Sequence, residues 1–351
     1  MENQNQTPHK RRVRYKGKYP KKFEEKYKEL QPEKYKDTIE HVIQKGNTPA
    51  GMHISIMVKE ILDFLNIQPG ETGFDATLGY GGHTKAMLQC LNGKGHIYAT
   101  DVDPEESAKT KKRLAEQGFG EELLTVKLQN FCTIDEIAKE VGGFDFILAD
   151  LGVSSMQIDN PKRGFSFKTD GPLDLRLNQE AGISAAERLE HITRDELAGM
   201  LYENSDEPYC EELAKAITDE IRKGNRVDTT TKLRELIADT LDFLPEKEKK
   251  DTIRKTCQRV FQALRIDVNR EFEVLYEFME KLPDALKPGG RVAILTFHSG
   301  EDKLVKKALK AGYKAEIYSD YAKDVIRPSA QECAQNGRAR STKMRWAIKA
   351  R

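Results

Sequence analysis

The sequence contains no Cys-x-x-Cys pair, no Pro-Pro dipeptide and no long apolar run. Its five cysteines are odd in number and far apart, and its seven histidines form no ligand pair with them, which argues against a disulfide framework or a structural zinc site. Apolar runs are short, as at 292–295, whereas a membrane helix needs roughly 18 residues. The N-terminus is basic but does not continue into an apolar segment, unlike a signal peptide. We therefore expect a cytoplasmic protein with no metal and no membrane span.

Charge is unevenly distributed along the 351 residues, although the net charge is only +1. Residues 1–36 carry +7 and residues 324–351 carry +5, which leaves −11 for residues 37–323. Basic ends on an acidic body favour a polyanionic partner that the ends contact. The alternative is that these ends only keep the protein in solution.

The pattern of apolar residues predicts strands that alternate with helices, which is typical of a parallel, doubly wound sheet. The expected strands cover 73–78, 96–100, 123–128, 144–149, 291–297 and 343–348. The alternation stops between about 158 and 255, where helices are predicted at 184–190, 194–202, 210–223 and 231–243. One further helix is expected over 256–281. The sequence thus predicts a Rossmann-like α/β domain of residues 49–157 and 256–351, an inserted all-helical domain of residues 158–255, and a basic N-terminal extension of residues 1–48.

A glycine-rich turn after the first predicted strand indicates a ligand site. The turn reads Gly79-Tyr-Gly81-Gly82-His83, so the backbone can approach a ligand at the start of the next helix. Thr84 occupies the place of the third glycine of a dinucleotide site, which argues against a pyrophosphate. Asp101, at the end of the second strand, is placed to accept hydrogen bonds from ribose hydroxyls. These features favour a nucleoside cofactor without phosphate, such as S-adenosylmethionine; the alternative is a plain tight turn and an exposed aspartate.

The fourth predicted strand delivers Asp150 to the carboxyl edge of the sheet, where ligands of such sheets bind. A carboxylate there can accept hydrogen bonds from a nucleophile, or it can simply face solvent in a loop. The segment from Arg163 to Arg176 follows, and it is polar, contains aromatic residues and has no regular period. It is too long to be a mere connector.

Several segments together resemble the MraW-type ribosomal RNA small subunit methyltransferase H family. They cover roughly residues 53–349 in the order of the family and read Asp75-Ala-Thr-Leu-Gly-Tyr-Gly-Gly-His-Thr, Asp101-Val-Asp-Pro, Asp150-Leu-Gly-Val-Ser-Ser-Met-Gln, Arg163-Gly-Phe-Ser-Phe, Asp170-Gly-Pro-Leu-Asp-Leu-Arg, Phe261-Gln-Ala-Leu-Arg-Ile-Asp-Val-Asn, Phe297-His-Ser-Gly-Glu-Asp and Asn336-Gly-Arg-Ala-Arg-Ser. The resemblance implies a class I methyltransferase sheet with an inserted helical domain. It also implies methyl transfer from S-adenosylmethionine to the exocyclic N4 of a cytidine in the decoding region of 16S rRNA.

The resemblance also implies the residues that hold the cofactor. Gly81, Gly82 and His83 would cradle its methionine part, and Asp101 would hold its ribose. The remaining members of the site would be Phe131 beside the adenine, Asp150 and Gln157. For His83 the alternative is a cap on its own helix.

The residues present agree with transfer to an exocyclic amine. No cysteine follows a proline, so the Pro-Cys nucleophile common in cytosine-C5 methyltransferases is missing, and an amine needs no covalent enzyme intermediate. The lone pair of the amine is delocalised into the ring, so the protein must orient the amine and accept its hydrogen bonds. The Pro-Pro-Tyr motif of many amino-methyltransferases is also missing, and Asp150 stands nearest to its position. Further catalytic candidates are Asp174 and His298.

Five arginines are predicted to contact phosphates or bases of the RNA, and the alternative for each is a structural ion pair. They are Arg163, Arg176, Arg265, Arg338 and Arg340. The expected partner is 16S rRNA or the small ribosomal subunit, and the chain would act as a monomer or a homodimer.

Two segments depart from the pattern of the family. His53-Ile-Ser-Ile stands where His-x-Pro-Val is usual, and Lys255-Thr-Cys-Gln-Arg259 replaces His-Pro-Ala-Thr-Arg. Because these changes lie outside the cofactor motifs, the cofactor is better defined than the target base. The alternatives are a paralogue that methylates another RNA or position, and a non-catalytic RNA-binding factor of ribosome assembly. A nicotinamide dehydrogenase is disfavoured by Thr84.

Overall fold

A seven-stranded sheet forms the centre of the computed structural model, which describes residues 55–351. The predicted extension 1–48 and His53 lie outside the described residues. The strands are β1 (Thr72–Asp75), β2 (His96–Asp101), β3 (Leu124–Leu128), β4 (Phe144–Asp150), β5 (Leu286–Thr296), β6 (Tyr318–Tyr321) and β7 (Lys343–Lys349). Their order is β3-β2-β1-β4-β5-β7-β6, and β7 pairs antiparallel with both of its neighbours. The expected doubly wound α/β sheet is thus confirmed.

Register places the carboxyl ends of the central strands side by side. Asp75 at the end of β1 pairs with Leu148 of β4, and Asp150 at the end of β4 pairs with Leu295 of β5. Parallel strands share one carboxyl edge, and the loops that leave it lie next to one another. The side chains that follow β1, β2, β4 and β5 therefore converge at this edge.

Helices cover both faces of the sheet. One face packs against α1 (Val58–Leu65), α2 (Gly82–Leu91) and α3 (Pro104–Glu116), and the other against α4 (Ile134–Val141), α11 (Glu271–Ala285) and α12 (Ser299–Lys314). The strand β4 is buried on both faces because its run Phe-Asp-Phe-Ile-Leu-Ala is almost entirely apolar. Within residues 55–351, no helix combines the length and apolar character needed to cross a membrane.

Between β4 and β5 the chain forms a set of helices with a hydrophobic core of its own. After the short α5 (Ser155–Asp159) come α6 (Ala185–His191), α7 (Arg194–Ser205), α8 (Cys210–Arg222), α9 (Thr230–Thr240) and α10 (Glu246–Asn269). Their apolar faces meet around residues such as Leu201, Leu213 and Leu233, all fully buried. The second half of α10 also packs into this core through Phe261 and Leu264. The domain boundaries at 157/158 and 255/256 remain predictions.

The structure differs from the predicted elements in several places. The helix expected to begin at 256 begins at Glu246, and the strand expected at 291–297 is Leu286–Thr296. The single helix expected over 256–281 is two helices, because Arg270 adopts a left-handed conformation with φ of 52° and ends α10. The edge strand β6 was not predicted, since its sequence Tyr-Ser-Asp-Tyr is short and mostly polar, and pairing with β7 defines it. The last elements are a short helix α13 (Ala330–Gln335) and a 3-10 turn, Gly337–Ser341, before β7.

Candidate functional site

The turn between β1 and α2 lies at the carboxyl edge of the sheet and is built around glycines. Gly79 and Gly81 have φ of 46° and 77°, in the left-handed region that favours glycine. A Cβ added to Gly81 would lie 2.7 Å from the Thr110 side chain, and one added to Gly82 would require the Ser55 hydroxyl to move. Glycine at these positions lets the turn pack closely against its neighbours, and its backbone groups lie at the start of α2.

Asp101 at the end of β2 holds this turn in place. Its Oδ2 accepts a hydrogen bond from the Gly79 N–H at 2.8 Å, and its Oδ1 accepts one from the Asp103 N–H at 3.0 Å. A carboxylate has about four lone-pair positions, so it can accept further hydrogen bonds from ligand hydroxyls. Burial raises the pKa of Asp101, and the N–H groups of Asp103 and Gly79 partly counter this rise.

Helix α3 supports the glycine turn from the side, through two residues that the sequence analysis missed. The Thr110 hydroxyl donates to the Gly79 carbonyl oxygen at 2.7 Å, and Arg113 Nη2 donates to the Tyr80 carbonyl oxygen at 2.8 Å. The Arg113 guanidinium also lies 3.6 Å from the centroid of the Tyr80 ring. Thr110 and Arg113 are three residues apart and so share one helix face, and this spacing is the sequence signal that could have identified them.

Thr84, which stands where a dinucleotide site has its third glycine, is hydrogen-bonded to Asp75. Its hydroxyl donates to Asp75 Oδ2 at 2.6 Å inside the protein, and the Thr77 N–H donates to Asp75 Oδ1 at 3.1 Å. Burial raises the pKa of Asp75, although both of these hydrogen bonds oppose the rise. Thr84 thus fixes the start of α2 to the end of β1.

His83 and Asp150 lie together beneath the glycine turn. Gly81, and not His83, occupies the N-cap of α2. The His83 Nδ1 lies 3.4 Å from Asp150 Oδ2, and its Nε2 lies 2.8 Å from the Ile56 carbonyl oxygen. Asp150 is fixed through its own N–H, which donates to Thr77 Oγ1 at 2.8 Å. Its Oδ1 is buried and has no hydrogen-bond partner among residues 55–351.

Arg163 does not reach the surface in this structure. Its Nη1 donates to Asp103 Oδ2 at 2.6 Å, and its Nη2 donates to the carbonyl oxygens of Arg176 and Leu177 at 3.0 and 2.7 Å. Arg163 and Asp103 are 6% and 3% exposed. Gln157 donates to the same Asp103 oxygen at 3.2 Å. Asp103 therefore joins the loop after β2 to the segment that follows β4.

Asp174 is also engaged by its neighbours. Its two oxygens accept hydrogen bonds from the Arg176 side chain at 2.8 and 2.9 Å, and Gln179 Nε2 donates to Oδ2 at 3.1 Å. Burial works to raise the pKa of Asp174, but the hydrogen bonds from Arg176 and Gln179 outweigh it and lower the pKa. Leu175, between the two, has φ of 63°. A carboxylate paired in this way is a weak proton acceptor.

Arg265 and His298 belong to one largely buried cluster, formed by the end of α10, the start of α11 and the start of α12. Arg265 donates to both oxygens of Glu271 at 2.8 and 2.9 Å, and His298 Nε2 lies 3.2 Å from Glu301 Oε1. In the described chain, Glu271, His298 and Glu301 are the group whose ligand atoms lie close enough for a metal ion. Arg265 compensates the charge of Glu271, and the second carboxylate of the cluster, Glu301, faces His298.

The remaining predicted residues are spread over the site and its surroundings. Phe131 opens a 3-10 turn after β3, and its ring packs edge-on against Phe278 with centroids 5.2 Å apart. Arg338 Nη2 donates to Asp159 Oδ1 at 2.7 Å, whereas Arg340 is exposed. Among the five arginines predicted to contact RNA, four are thus in ion pairs.

The structure brings the predicted cofactor residues to the carboxyl ends of β1, β2, β3 and β4. The glycine turn leads into the start of α2, Asp101 retains acceptor capacity, and Asp150 Oδ1 is a buried acceptor without a partner in the described chain. Asp101 fits the ribose hydroxyls of a nucleoside cofactor, and the free Asp150 oxygen can accept a hydrogen bond from that cofactor or from a substrate bound beside it. S-adenosylmethionine meets that description.

The amino-acid sequence matches a family model described as the MraW methylase family over residues 50–350. A protein of Agathobacter rectalis named ribosomal RNA small subunit methyltransferase H 1 is 86% identical over 342 residues, which are 97% of this chain and 98% of that protein. A protein of the same name from Lachnoclostridium phytofermentans is 70% identical, with 99% and 95% covered. Ribosomal RNA small subunit methyltransferase H 2 of Alkaliphilus metalliredigens is 62% identical, with 97% of each chain covered.

Proposed function

This chain belongs to the MraW methylase family, and we propose that it transfers a methyl group from S-adenosylmethionine to the exocyclic N4 of a cytidine in 16S rRNA. Its family and its relatives make it an S-adenosylmethionine-dependent rRNA methyltransferase. The proposal adds the atom, the 16S molecule and its decoding region. It also adds the small subunit as partner and the cytoplasm as location.

The observation that carries the proposal is the free oxygen of Asp150 at the end of β4. Asp150 Oδ1 has no partner in the described chain, and the other oxygen of the same carboxylate lies 3.4 Å from His83, which directly follows the glycine turn. An exocyclic amine carries N–H groups that a carboxylate accepts well. A ring carbon such as C5 offers no comparable donor. The geometry therefore favours an amino group as the acceptor of the methyl group.

The chemistry asked of the protein is orientation and charge stabilisation. S-adenosylmethionine supplies a methyl group bonded to a positively charged sulfur, which leaves as a neutral thioether. The N4 lone pair is conjugated with the ring, so it must be turned toward the methyl group. Asp150 would accept an N4–H hydrogen bond and stabilise positive charge as it develops on the nitrogen. The proton then leaves to water.

The decisive experiment is methyl transfer from labelled S-adenosylmethionine to small subunits, and to naked 16S rRNA, that lack the modification. Nucleoside mass spectrometry of the product should show N4-methylcytidine, and nuclease mapping should place it in the decoding region. Label in another nucleoside or another RNA would support the paralogue alternative. Cofactor binding without any labelled product would support the assembly-factor alternative.

Asp150→Asn is expected to lower the rate of methyl transfer at saturating cofactor by about 10- to 30-fold. Asparagine keeps the shape and one oxygen acceptor but removes the negative charge, a loss of about 1.4–2 kcal/mol in the transition state. Single-turnover rates on unmodified small subunits measure the effect. Asp239→Asn, an exposed change on α9, is the matched control and should leave the rate unchanged. An altered cofactor Kd with an unchanged rate would restrict Asp150 to cofactor binding.

Removal of residues 1–48 is expected to weaken RNA binding in a salt-dependent way. Residues 1–36 alone carry +7, and each phosphate contact contributes about 0.7–0.9 to the slope of log K against log salt. The slope should therefore fall by roughly 3 or more, as measured by fluorescence anisotropy with labelled 16S rRNA fragments. Arg340→Ala, at the other basic end, should change it by about 1 at most. An unchanged slope in the truncated protein would assign these residues another role.

A further inference from the structure

Among residues 55–351, the groups that contact the two ring nitrogens of His83 are both acceptors. Its Nε2 lies 2.8 Å from the Ile56 carbonyl oxygen, and its Nδ1 lies 3.4 Å from Asp150 Oδ2. A carbonyl oxygen and a carboxylate oxygen can only accept, and a neutral imidazole has a single N–H to donate. The ring is 7% exposed, so water cannot readily replace either partner. Only the doubly protonated imidazolium satisfies both contacts.

We propose that the His83 side chain is an imidazolium that positions Asp150, and that it is not a side-chain ligand of the cofactor. The role of His83 deepens the proposed function, and the role given to Asp150 rests on that function. Both polar atoms of the ring are used inside the protein, one on the Ile56 carbonyl and one on Asp150. His83 can thus face the cofactor only through the backbone of α2.

The pair defines which oxygen of Asp150 acts on a substrate. The Asp150 N–H is fixed on Thr77 Oγ1, which sets the backbone, and the contact of Oδ2 with His83 sets the orientation of the carboxylate. Oδ1 is left as the buried oxygen without a partner in the described chain. Asp150 therefore offers this oxygen to the substrate amine, where it accepts a hydrogen bond and stabilises the developing charge.

The charges around His83 are consistent with this assignment. Burial opposes protonation of His83, but the hydrogen bond and negative charge of Asp150 outweigh it and raise the pKa of His83 to about 9. Asp75, held by Thr84 on the neighbouring strand end, adds to the rise. Because a raised histidine pKa means that the cation persists up to that pH, the pair is intact at neutral pH. It is lost as the pH rises through about 9.

Nitrogen NMR of the full-length protein labelled with [15N]histidine tests the charge without any substrate. The His83 ring, assigned by comparison with His83→Gln, should show two protonated nitrogens at pH 7.5 and titrate near pH 9. In Asp150→Asn the midpoint should fall toward the ordinary histidine value of about 6.5. A neutral ring at pH 7.5, or a midpoint that Asp150→Asn leaves in place, would overturn the proposal. Neither result depends on which RNA is methylated.

Kinetics of His83→Gln separate positioning from cofactor binding. We expect the single-turnover rate at saturating S-adenosylmethionine to fall about tenfold or more, while the cofactor Kd from calorimetry changes less than about threefold. A Kd that rises tenfold with an unchanged saturated rate would make His83 a cofactor ligand and overturn the proposal. If no RNA is methylated even by the unaltered protein, the proposed function fails, and the NMR titration still decides the state of the pair.

Discussion

Asp101→Ala is expected to weaken binding of S-adenosylmethionine by about 100-fold or more. The Asp101 carboxylate has acceptor positions left for ribose hydroxyls, and each hydrogen bond to a charged acceptor contributes about 1.5–3 kcal/mol. Two such bonds correspond to a factor of about 100 or more in Kd. The substitution also releases the Gly79 N–H from its 2.8 Å hydrogen bond, so the turn that would hold the cofactor loses its support. Isothermal titration of the purified protein measures the change.

A matched control separates this effect from a general disturbance of α3. Glu105→Ala removes a carboxylate only four residues away, but its side chain is exposed and pairs only with Lys109 on the surface. Surface substitutions of this kind usually change stability by less than about 0.5 kcal/mol, so the cofactor Kd should remain as it was. Equal titration heats for Asp101→Ala and the unaltered protein would remove Asp101 from the cofactor site.

The strand ends of this fold could be predicted from the sequence because local chemistry specifies them. Gly79 and Gly81 are needed where φ is positive, and Asp101 and Asp150 end runs of apolar residues that form buried strands. Turn glycines and buried parallel strands leave signals within a few neighbouring residues. The carboxyl edge and its acidic side chains could therefore be located from the order of residues alone.

Two of the ion pairs could not be predicted in the same way, because their partners are distant in sequence. Arg163 and Asp103 are 60 residues apart, and Arg338 and Asp159 are 179 apart. A sequence shows that an arginine is present but not whether a buried carboxylate lies beside it. The break at Arg270 is also hidden, since both flanking segments have helical periodicity.

Arg163→Ala is expected to destabilise the protein by about 3–5 kcal/mol, because it leaves the buried Asp103 carboxylate without its cation. Typical proteins are stable by only about 5–15 kcal/mol, so the loss is a large fraction of the total. The guanidinium also donates to the carbonyl oxygens of Arg176 and Leu177, and these would lose their partner. Urea unfolding followed by circular dichroism measures the difference. Arg340→Ala, an exposed change in the same predicted RNA-binding set, should cost less than about 0.5 kcal/mol.

A double mutant tests whether the unpaired buried charge of Asp103 causes the destabilisation. Asp103 Oδ1 accepts the Glu106 N–H at 3.1 Å and so caps α3, and asparagine serves equally well at an N-cap. In an Asp103→Asn background, Arg163→Ala no longer leaves an unpaired charge and should cost only about 1–2 kcal/mol. If Arg163 instead contacted RNA directly, Arg163→Ala would lower RNA affinity and leave the unfolding curve unchanged. The unfolding measurement thus decides between a support inside the protein and a contact on its surface.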